Sequence, residues 1–419
     1  MENKIIDIAI IGGGPAGLSA YIGVCKKGLS ALLVEREDKL GGVLKQCIHD
    51  GFGLVKFKKK MSGSEYAGVF IAQALAQNGQ ILLNSFVNTI TKNEYGYELI
   101  IINDSGVIKV QAKKIIFATG CRERTSKQVG IHGARPSGVF TAGTAQYYVN
   151  ILGAMPLKKC VILGSGDIGL IMARRLSLEG AEVLGVYEAK NVPSGLYRNI
   201  SQCLDDFGIV LHLSKTVSRL IGKPRLKAVE IVQVDEKLNH IKGTEEIIEC
   251  DSLILSVGLI PENELIETLL VPVDNRTKGA IVDQGFESMQ SGIYVCGNAL
   301  HVNDLVDYVS ESAEIVARDI SDVENYLKSD FIDVEVDANL AYALPQKINL
   351  QKSLENIVFY FRVSRPTNEA LLTIKYGQNV LRQKSYDYLR VAEMQRIVVD
   401  CSEINPTENS KIEITLKEV

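Results

Sequence analysis

Two stretches of the chain carry the same alternation of apolar and small residues. Residues 5–11 are almost all apolar and β-branched, as a strand covered on both faces of a parallel sheet must be. A glycine-rich turn follows, then a helix that Gly28 ends, then a second apolar strand over 29–34 that delivers Glu35. The order recurs from Cys160: apolar strand, glycine turn, a helix ended by Gly180, a strand, and Glu188. Between the two repeats, residues 64–77 have helical apolar spacing. Residues 81–112 alternate like strands around the turn signal Asn103-Asp104-Ser105-Gly106, and 114–120 reads as another buried strand. After Glu188 the pattern predicts a short helix over 198–207 stopped by Gly208, strands up to Asp251, and an apolar strand over 253–258 that ends in glycine, as 114–120 does. A short strand over 293–297 precedes an amphipathic helix over 304–320, with Asp304 as its N-cap and Asp307 in its first turn. From residue 331 aromatic and β-branched residues alternate with polar ones, most clearly at 356–363, 369–376 and 411–416. This predicts an all-β module of about 90 residues.

The turns carry the first chemistry. Gly12, Gly14 and Gly17 form G-x-G-x-x-G: the first permits the tight turn, the second lets a pyrophosphate reach the backbone, and the third lets helix pack on strand. Pro15 and Ala16 open the helix, where a missing N–H costs little and free amides with the helix dipole attract phosphate. Glu35, 23 positions on from Gly12, stands where a carboxylate takes two ribose hydroxyls, with Arg36 beside it. One such turn alone is weak, because glycine turns also end helices for structural reasons. Here Gly164, Gly166, Asp167, Ile168 and Gly169 repeat it, and Glu188 falls 24 positions after Gly164. Two dinucleotides, one able to pass electrons to the other, are therefore expected.

Composition narrows the partners. Forty-six basic and 50 acidic residues among 419 leave a net charge of −4, so bulk electrostatics do not favour nucleic acid or anionic membrane. The first residues show no apolar signal region, and no long apolar stretch occurs, which reads as cytoplasmic without a transmembrane segment. Eight dispersed cysteines without a C-x-x-C argue against a disulfide framework, a zinc site or an iron–sulfur cluster built by this chain alone, and no metal site is expected.

With the glycine units, the strands ending at Thr119-Gly120 and Gly258, and the segment Tyr294-Val295-Cys296-Gly297-Asn298 in this order, residues 4–325 resemble the two-dinucleotide-binding, pyridine nucleotide-disulfide oxidoreductase-like flavoproteins. The resemblance implies an α/β protein of two Rossmann-like domains followed by the β module. The FAD domain would be 1–125 with 275–325, the inserted NAD(P) domain 126–274, and the β module 331–419. It implies FAD at the first cradle, with Gly42, Val43, Thr119, Gly120, Gly297 and Asn298 lining it. NAD(H) would lie at the second, with Gly258 adjoining. The segments Gly41-Gly42-Val43-Leu44 and Gln46-Cys47-Ile48-His49 look like the flavoprotein subunits associated with anaerobic-type glycerol-3-phosphate dehydrogenase, opine oxidase and hydrogen cyanide synthase, which act beside dehydrogenase partner subunits. Two departures stand out. Leu44 and His49 occupy the places of the redox cysteines of disulfide reductases, and Asn298 replaces the usual acid that binds the ribityl chain. The helix near Asp304 would, by the same resemblance, point its N-terminus at the flavin's pyrimidine edge.

Several side chains have two readings. Cys47 and His49 are either a packed thiol and a hydrogen-bonded imidazole, or His49 handles the proton that flavin reduction takes up. His301 is a similar candidate, whereas Cys296 reads as core. Glu188 repels a 2′-phosphate and so favours NAD over NADP. Lys190 nearby keeps NADP open, and a vestigial second site, or one that binds ATP, is a further alternative. Lys56, Lys58, Lys59 and Lys60 are a solvated loop face or a docking patch. The function expected is an FAD-dependent oxidoreductase exchanging electrons with NAD(H), working within a multi-subunit dehydrogenase. A stand-alone NADH oxidase and a structural nucleotide-binding subunit are the alternatives.

Overall fold

The computed structural model describes residues 5–320, 331–402, 404 and 411–418. Two compact units emerge, one built from Met1–Cys121 and Pro261–Val419, the other from Arg122–Ile260.

In the first unit the apolar strand Ile6–Ile11 lies between Ala31–Val34 and Gly106–Phe117, all parallel, with Gln80–Leu82 outside Ala31–Val34. Ile8, Ala9 and Ile10 are wholly buried, as an apolar run between two sheet neighbours requires. The strand expected at 114–120 is the end of one continuous strand, Gly106–Phe117. No turn residue separates Ala112 from Lys114, so alternation carries straight through. Its first half pairs antiparallel with Gly96–Asn103, and its last residues, Ile115–Phe117, pair with the returning strand Ile293–Val295. Helices Pro15–Lys26, Gly63–Leu75 and Val306–Asp319 supply the first unit's longer helices. Gly63–Leu75 starts from a capping box in which Ser62 and Glu65 satisfy each other's backbone N–H.

Two local expectations change. The chain returns to the first unit at Pro261 rather than at 275, because Glu262 is already tied there: its N–H donates to Gly120 O (3.0 Å), and its carbonyl accepts from Thr119 Oγ1 (2.8 Å). The helix expected from Asp304 begins at Val306 with Leu305 in the cap position. Asp304 caps nothing, since its carboxylate is taken by Arg362 and by the Met394 N–H (2.6 Å).

The C-terminal strands of this unit form a five-stranded sheet and a three-stranded one. The central strand of the smaller sheet, Ile357–Val363, is apolar on both faces: Ile357, Phe359, Phe361 and Val363 enter the module's own core. Val358 and Tyr360, on the other face, join the core of the first unit's larger sheet.

The second unit holds a parallel sheet in the order Val139–Thr141, Ser252–Leu255, Lys159–Leu163, Glu182–Glu188, Leu211–Leu213. A four-stranded sheet, mostly antiparallel, stands beside it in that unit. Helix Asp167–Leu178 follows the second glycine turn, and the helix expected at 198–207 forms as Tyr197–Cys203 and a 3-10 turn ended by Gly208 at φ 64°.

Candidate functional site

The first turn is shaped by what cannot fit. Gly12 has φ +105°, and a Cβ there would lie 2.4 Å from Ala118 O; a Cβ on Gly17 would lie 1.7 Å from Gly12 O. At Gly14 the nearest atom to such a Cβ is Gly42 Cα, at 3.8 Å. The first and third glycines are thus filled by their own backbone, and the second faces open space at the helix N-terminus, where free N–H groups and the dipole favour an anion. Glu35 is buried; its Oε2 accepts from Gly13 N (2.6 Å) and its Oε1 from Glu37 N (2.9 Å), which sets the carboxylate beside the turn. Arg36 is committed to Glu262 (3.1 Å).

Two further segments close on this turn. Gly41 donates to Gly13 O (2.9 Å), and a Cβ on Gly42 would lie 2.9 Å from Gly14 Cα, so the loop carrying Val43 abuts the cradle. Val43, in this loop, is 61% exposed. On the other side Gly297 meets Ala16 and donates to Ser312 Oγ (2.8 Å). Asn298 follows: its Oδ1 accepts from Asn303 N (3.0 Å) and its Nδ2 donates to Cys121 Sγ (3.5 Å). Gly12, Gly14, Ala16, Gly17, Glu35, Gly42, Thr119, Gly120, Gly297 and Asn298 all belong to the first unit.

The second turn repeats the geometry within the second unit. A Cβ on Gly164 would lie 2.0 Å from Ser256 O and one on Gly169 2.5 Å from Gly164 O, while at Gly166 nothing comes closer than Ser256 Oγ at 4.0 Å. Glu188 is buried and fully engaged. Its Oε2 accepts from Ser165 N (3.1 Å), Ser165 Oγ (2.6 Å) and Ser194 Oγ (3.2 Å), and its Oε1 from Lys190 N (3.1 Å). Ser165 and Ser194 were missed in the sequence, where only a serine between two motif glycines hinted at them. Asp167 turns away from the cradle, accepting from Leu196 N (2.9 Å) and Asn199 Nδ2 (2.7 Å); it holds the following loop in place. Ile168 is exposed, and Gly258 O accepts from Arg124 N (3.0 Å).

The titratable candidates separate. Cys47 is half-buried, its Sγ near Val43 O (3.4 Å), and burial pushes its thiol up to about 12. His49 is half-buried, with Nδ1 3.1 Å from Asp50 O and its ring 5.0 Å from that of Phe52. His301 is fully buried between Tyr342 and Tyr360, and burial, reinforced by Arg362, pushes its imidazole down to about 3. It is neutral at physiological pH, and its Nε2 has no partner among the described residues. The lysine run is divided: Lys56 pairs with Glu314 and donates its N–H to Asp307 (2.7 Å), and Lys60 pairs with Asp50. Asp307, expected only to complement the helix dipole, anchors this loop.

The open faces at Gly14 and Gly166 and the two buried acids fit a dinucleotide at each turn. Asn263 Oδ1 and Asn303 Oδ1, both near Gly297–Ala299, are buried without a partner among the described residues. No group of three metal-ligating side chains occurs among the described residues, and none of their helices is long and apolar enough to cross a membrane.

Comparison with known proteins agrees in kind. Residues 6–315 match the family described as pyridine nucleotide-disulphide oxidoreductase. A ferredoxin–NADP reductase of Lysinibacillus sphaericus is 25% identical over 339 residues, 79% of this chain and 93% of its own. The crystal structure of T. acidophilum thioredoxin reductase superposes with a TM-score of 0.60 at 21% identity, over 75% of this chain and 96% of that one. L-proline dehydrogenase from P. horikoshii gives 0.55 at 20% identity, over 75% of this chain and 54% of that one. The strands from Phe331 onward lie beyond the family match.

Proposed function

Because the chain belongs to the pyridine nucleotide-disulphide oxidoreductase family, an FAD-dependent class of pyridine nucleotide oxidoreductases, we propose that it oxidises NADH through FAD and delivers the electrons to an external acceptor. The observation that carries this reading is the duplicated cradle, in which the second glycine alone faces open space and a buried acid bonds the turn.

FAD is assigned to the first unit and the nicotinamide nucleotide to the second. Bound flavin would supply hydride acceptance and onward electron transfer. The chain's own residues do the rest. The amides after Gly14 and the helix dipole hold the pyrophosphate, and Glu35 takes the ribose hydroxyls. Val43 and Ile48, both exposed, keep water from the ring. The N-terminus of Val306–Asp319 favours negative charge on it. Asn298 keeps an amide where relatives of this type carry an acid, and His49 moves the proton at its Nε2.

Glu188 supports NADH over the NADP named for the ferredoxin–NADP reductase relative, because its carboxylate is fixed by four donors and would meet a 2′-phosphate with like charge. An external acceptor follows from the thiols. Leu44 and His49 stand where a dithiol would, and burial raises the thiols of Cys25, Cys47, Cys160, Cys203, Cys250, Cys296 and Cys401, which keeps them protonated. A dehydrogenase subunit of glycerol-3-phosphate, opine or amino-acid type is the finer proposal for the partner. It would hand its substrate's electrons to the flavin, with NAD(H) at the other end of an exchange that runs in either direction. The proposal is supported by the loop Gly41–His49 and tested by co-purification. Anaerobic titration with NADH and NADPH, following the flavin spectrum, tests the whole reading. Bleaching by NADH at stoichiometric amounts is expected; bound flavin that neither nucleotide reduces would refute it.

A further inference from the structure

Of the acids on helix Val306–Asp319 or just before it, Asp307 and Glu314 meet Lys56, while Asp304, Glu311 and Asp319 meet the C-terminal module. Glu311 and Asp319, eight residues apart, lie about two turns apart along the helix, and Asp304 precedes its first turn. Each of these three is met by a cation from the module, Arg362 and Arg396 on its strands and Lys352 in the loop before Ile357–Val363. Arg362 pairs with Asp304; Arg396 forks onto both oxygens of Glu311 (2.6–3.0 Å), which also accepts from Tyr360 OH (2.7 Å); Lys352 pairs with Asp319 (2.6 Å). The module therefore grips one helix at its start, middle and end.

The grip at the start differs in what it touches. Arg362 Nη2 also donates to Val302 O (3.1 Å), its Nε to Tyr342 OH (3.0 Å), and its Nη1 to Ala392 O. Its side chain is 15% exposed, so these bonds are shielded from water. Val302 and Asp304 flank Asn303, whose N–H and Nδ2 both donate to Asn298 Oδ1 (3.0 and 3.3 Å). A continuous chain of bonds thus runs from Arg362 through the turn 302–304 to Asn298, the residue facing the ribityl position in the reading above.

We propose that Arg362 is a positioning residue for FAD: the β module sets the turn Asn298–Leu305, and with it Asn298 and the helix N-terminus, in the geometry that binds the flavin. The inference rests on the assignment of FAD to the first unit. A planar guanidinium suits the task, since one rigid fork reaches Asp304, the Val302 carbonyl and Tyr342 together, which a lysine cannot.

The test uses full-length protein stripped of flavin. R362Q removes the charge-assisted bonds to the turn, so its dissociation constant for FAD should rise about tenfold or more, and its flavin midpoint potential should move. Amide hydrogen exchange of 298–305 in the apo protein should quicken. R396Q, which loosens the helix middle and leaves the turn bonded, should lower the melting temperature yet keep FAD affinity within about twofold. Should R362Q fail to fold, R362K carries the test, because it retains the charge beside Asp304 and loses the fork. FAD affinity within about twofold of wild type in every foldable Arg362 variant, with unchanged exchange at 298–305, would overturn the proposal. If wild-type protein takes up no FAD, the cofactor reading fails by itself. The exchange measurement then decides the clamp, and unchanged exchange overturns it.

Discussion

Substituting alanine at two glycines three residues apart should give opposite phenotypes. At Gly17 the added Cβ would sit 1.7 Å from Gly12 O and 2.9 Å from Gly12 C, both backbone atoms of the same turn, where ordinary contact begins at 3.4 Å. The helix must shift off the strand by well over an ångström, and overpacking of that kind costs about 3 kcal/mol or more, because neither partner is a flexible side chain. At Gly14 the backbone is extended (φ −75°, ψ −174°), which alanine adopts freely, and the nearest atom is 3.8 Å away. Only the cap preference is lost, about 0.5–1 kcal/mol. Gly14→Ala should therefore melt nearly as the wild type when flavin-free, while its Cβ occupies the space the pyrophosphate needs and FAD affinity falls by about a hundredfold or more, as the loss of a close backbone contact to phosphate implies. Gly17→Ala should melt many degrees lower with or without FAD. Thermal melts of apo protein and flavin-fluorescence titration read both quantities. Wild-type FAD affinity in Gly14→Ala, or a wild-type melt in Gly17→Ala, would refute the roles assigned to the turn.

Glu188→Gln replaces an acceptor by an amide facing N–H and hydroxyl donors, and should lower the NADH-to-NADPH ratio of kcat/KM by about tenfold; an unchanged ratio would detach Glu188 from nucleotide choice. Lys352 is 5% exposed among Asp283, Glu287 and Asp319, so Lys352→Met should destabilise by about 3–5 kcal/mol at neutral pH. That loss should depend on pH with a fixed sign. Burial pushes the Asp283 carboxyl up to about 6, with Lys352 pulling the other way, so the folded state holds a proton the unfolded state has released between about 4 and about 6. Asp283's contribution to stability thus falls as pH rises through that window, and the Lys352→Met penalty should be smaller near pH 5 than near pH 8 in melts across pH; a larger penalty at acid pH would reverse the argument. Cys47→Ser should leave flavin reduction within about twofold, and alkylation at neutral pH should spare activity, because a thiol pushed up to about 12 is not a nucleophile there. His49→Ala should slow flavin reoxidation in stopped-flow traces; an unaltered rate would remove His49 from proton handling.

Both cradles were legible in the linear chain because their logic is local. Strand, turn, helix and acid span some thirty residues, and the steric demand that excludes a Cβ at Gly12 and Gly17 acts between near neighbours. The alternation after Phe331 announced strands for the same reason, since side-chain period alone separates a two-faced strand such as Ile357–Val363 from a helix. What sequence could not fix is which distant groups compete for a side chain. Asp304 has the chemistry of an N-cap and loses that role to Arg362 and Met394, some 60 and 90 positions away. His301 stands three positions from Asn298, where proton transfer looked plausible, and Tyr342 and Tyr360 from the β module enclose it and keep it neutral. Glu188 was visible as an acid, but its fixation by Ser165 and Ser194 depends on a loop folding back onto the turn. Local sterics and side-chain periodicity therefore wrote the nucleotide-binding frame into the sequence. The partners of its buried charges came only with tertiary packing, because desolvation makes a buried charge seek whatever opposite group the fold brings within reach.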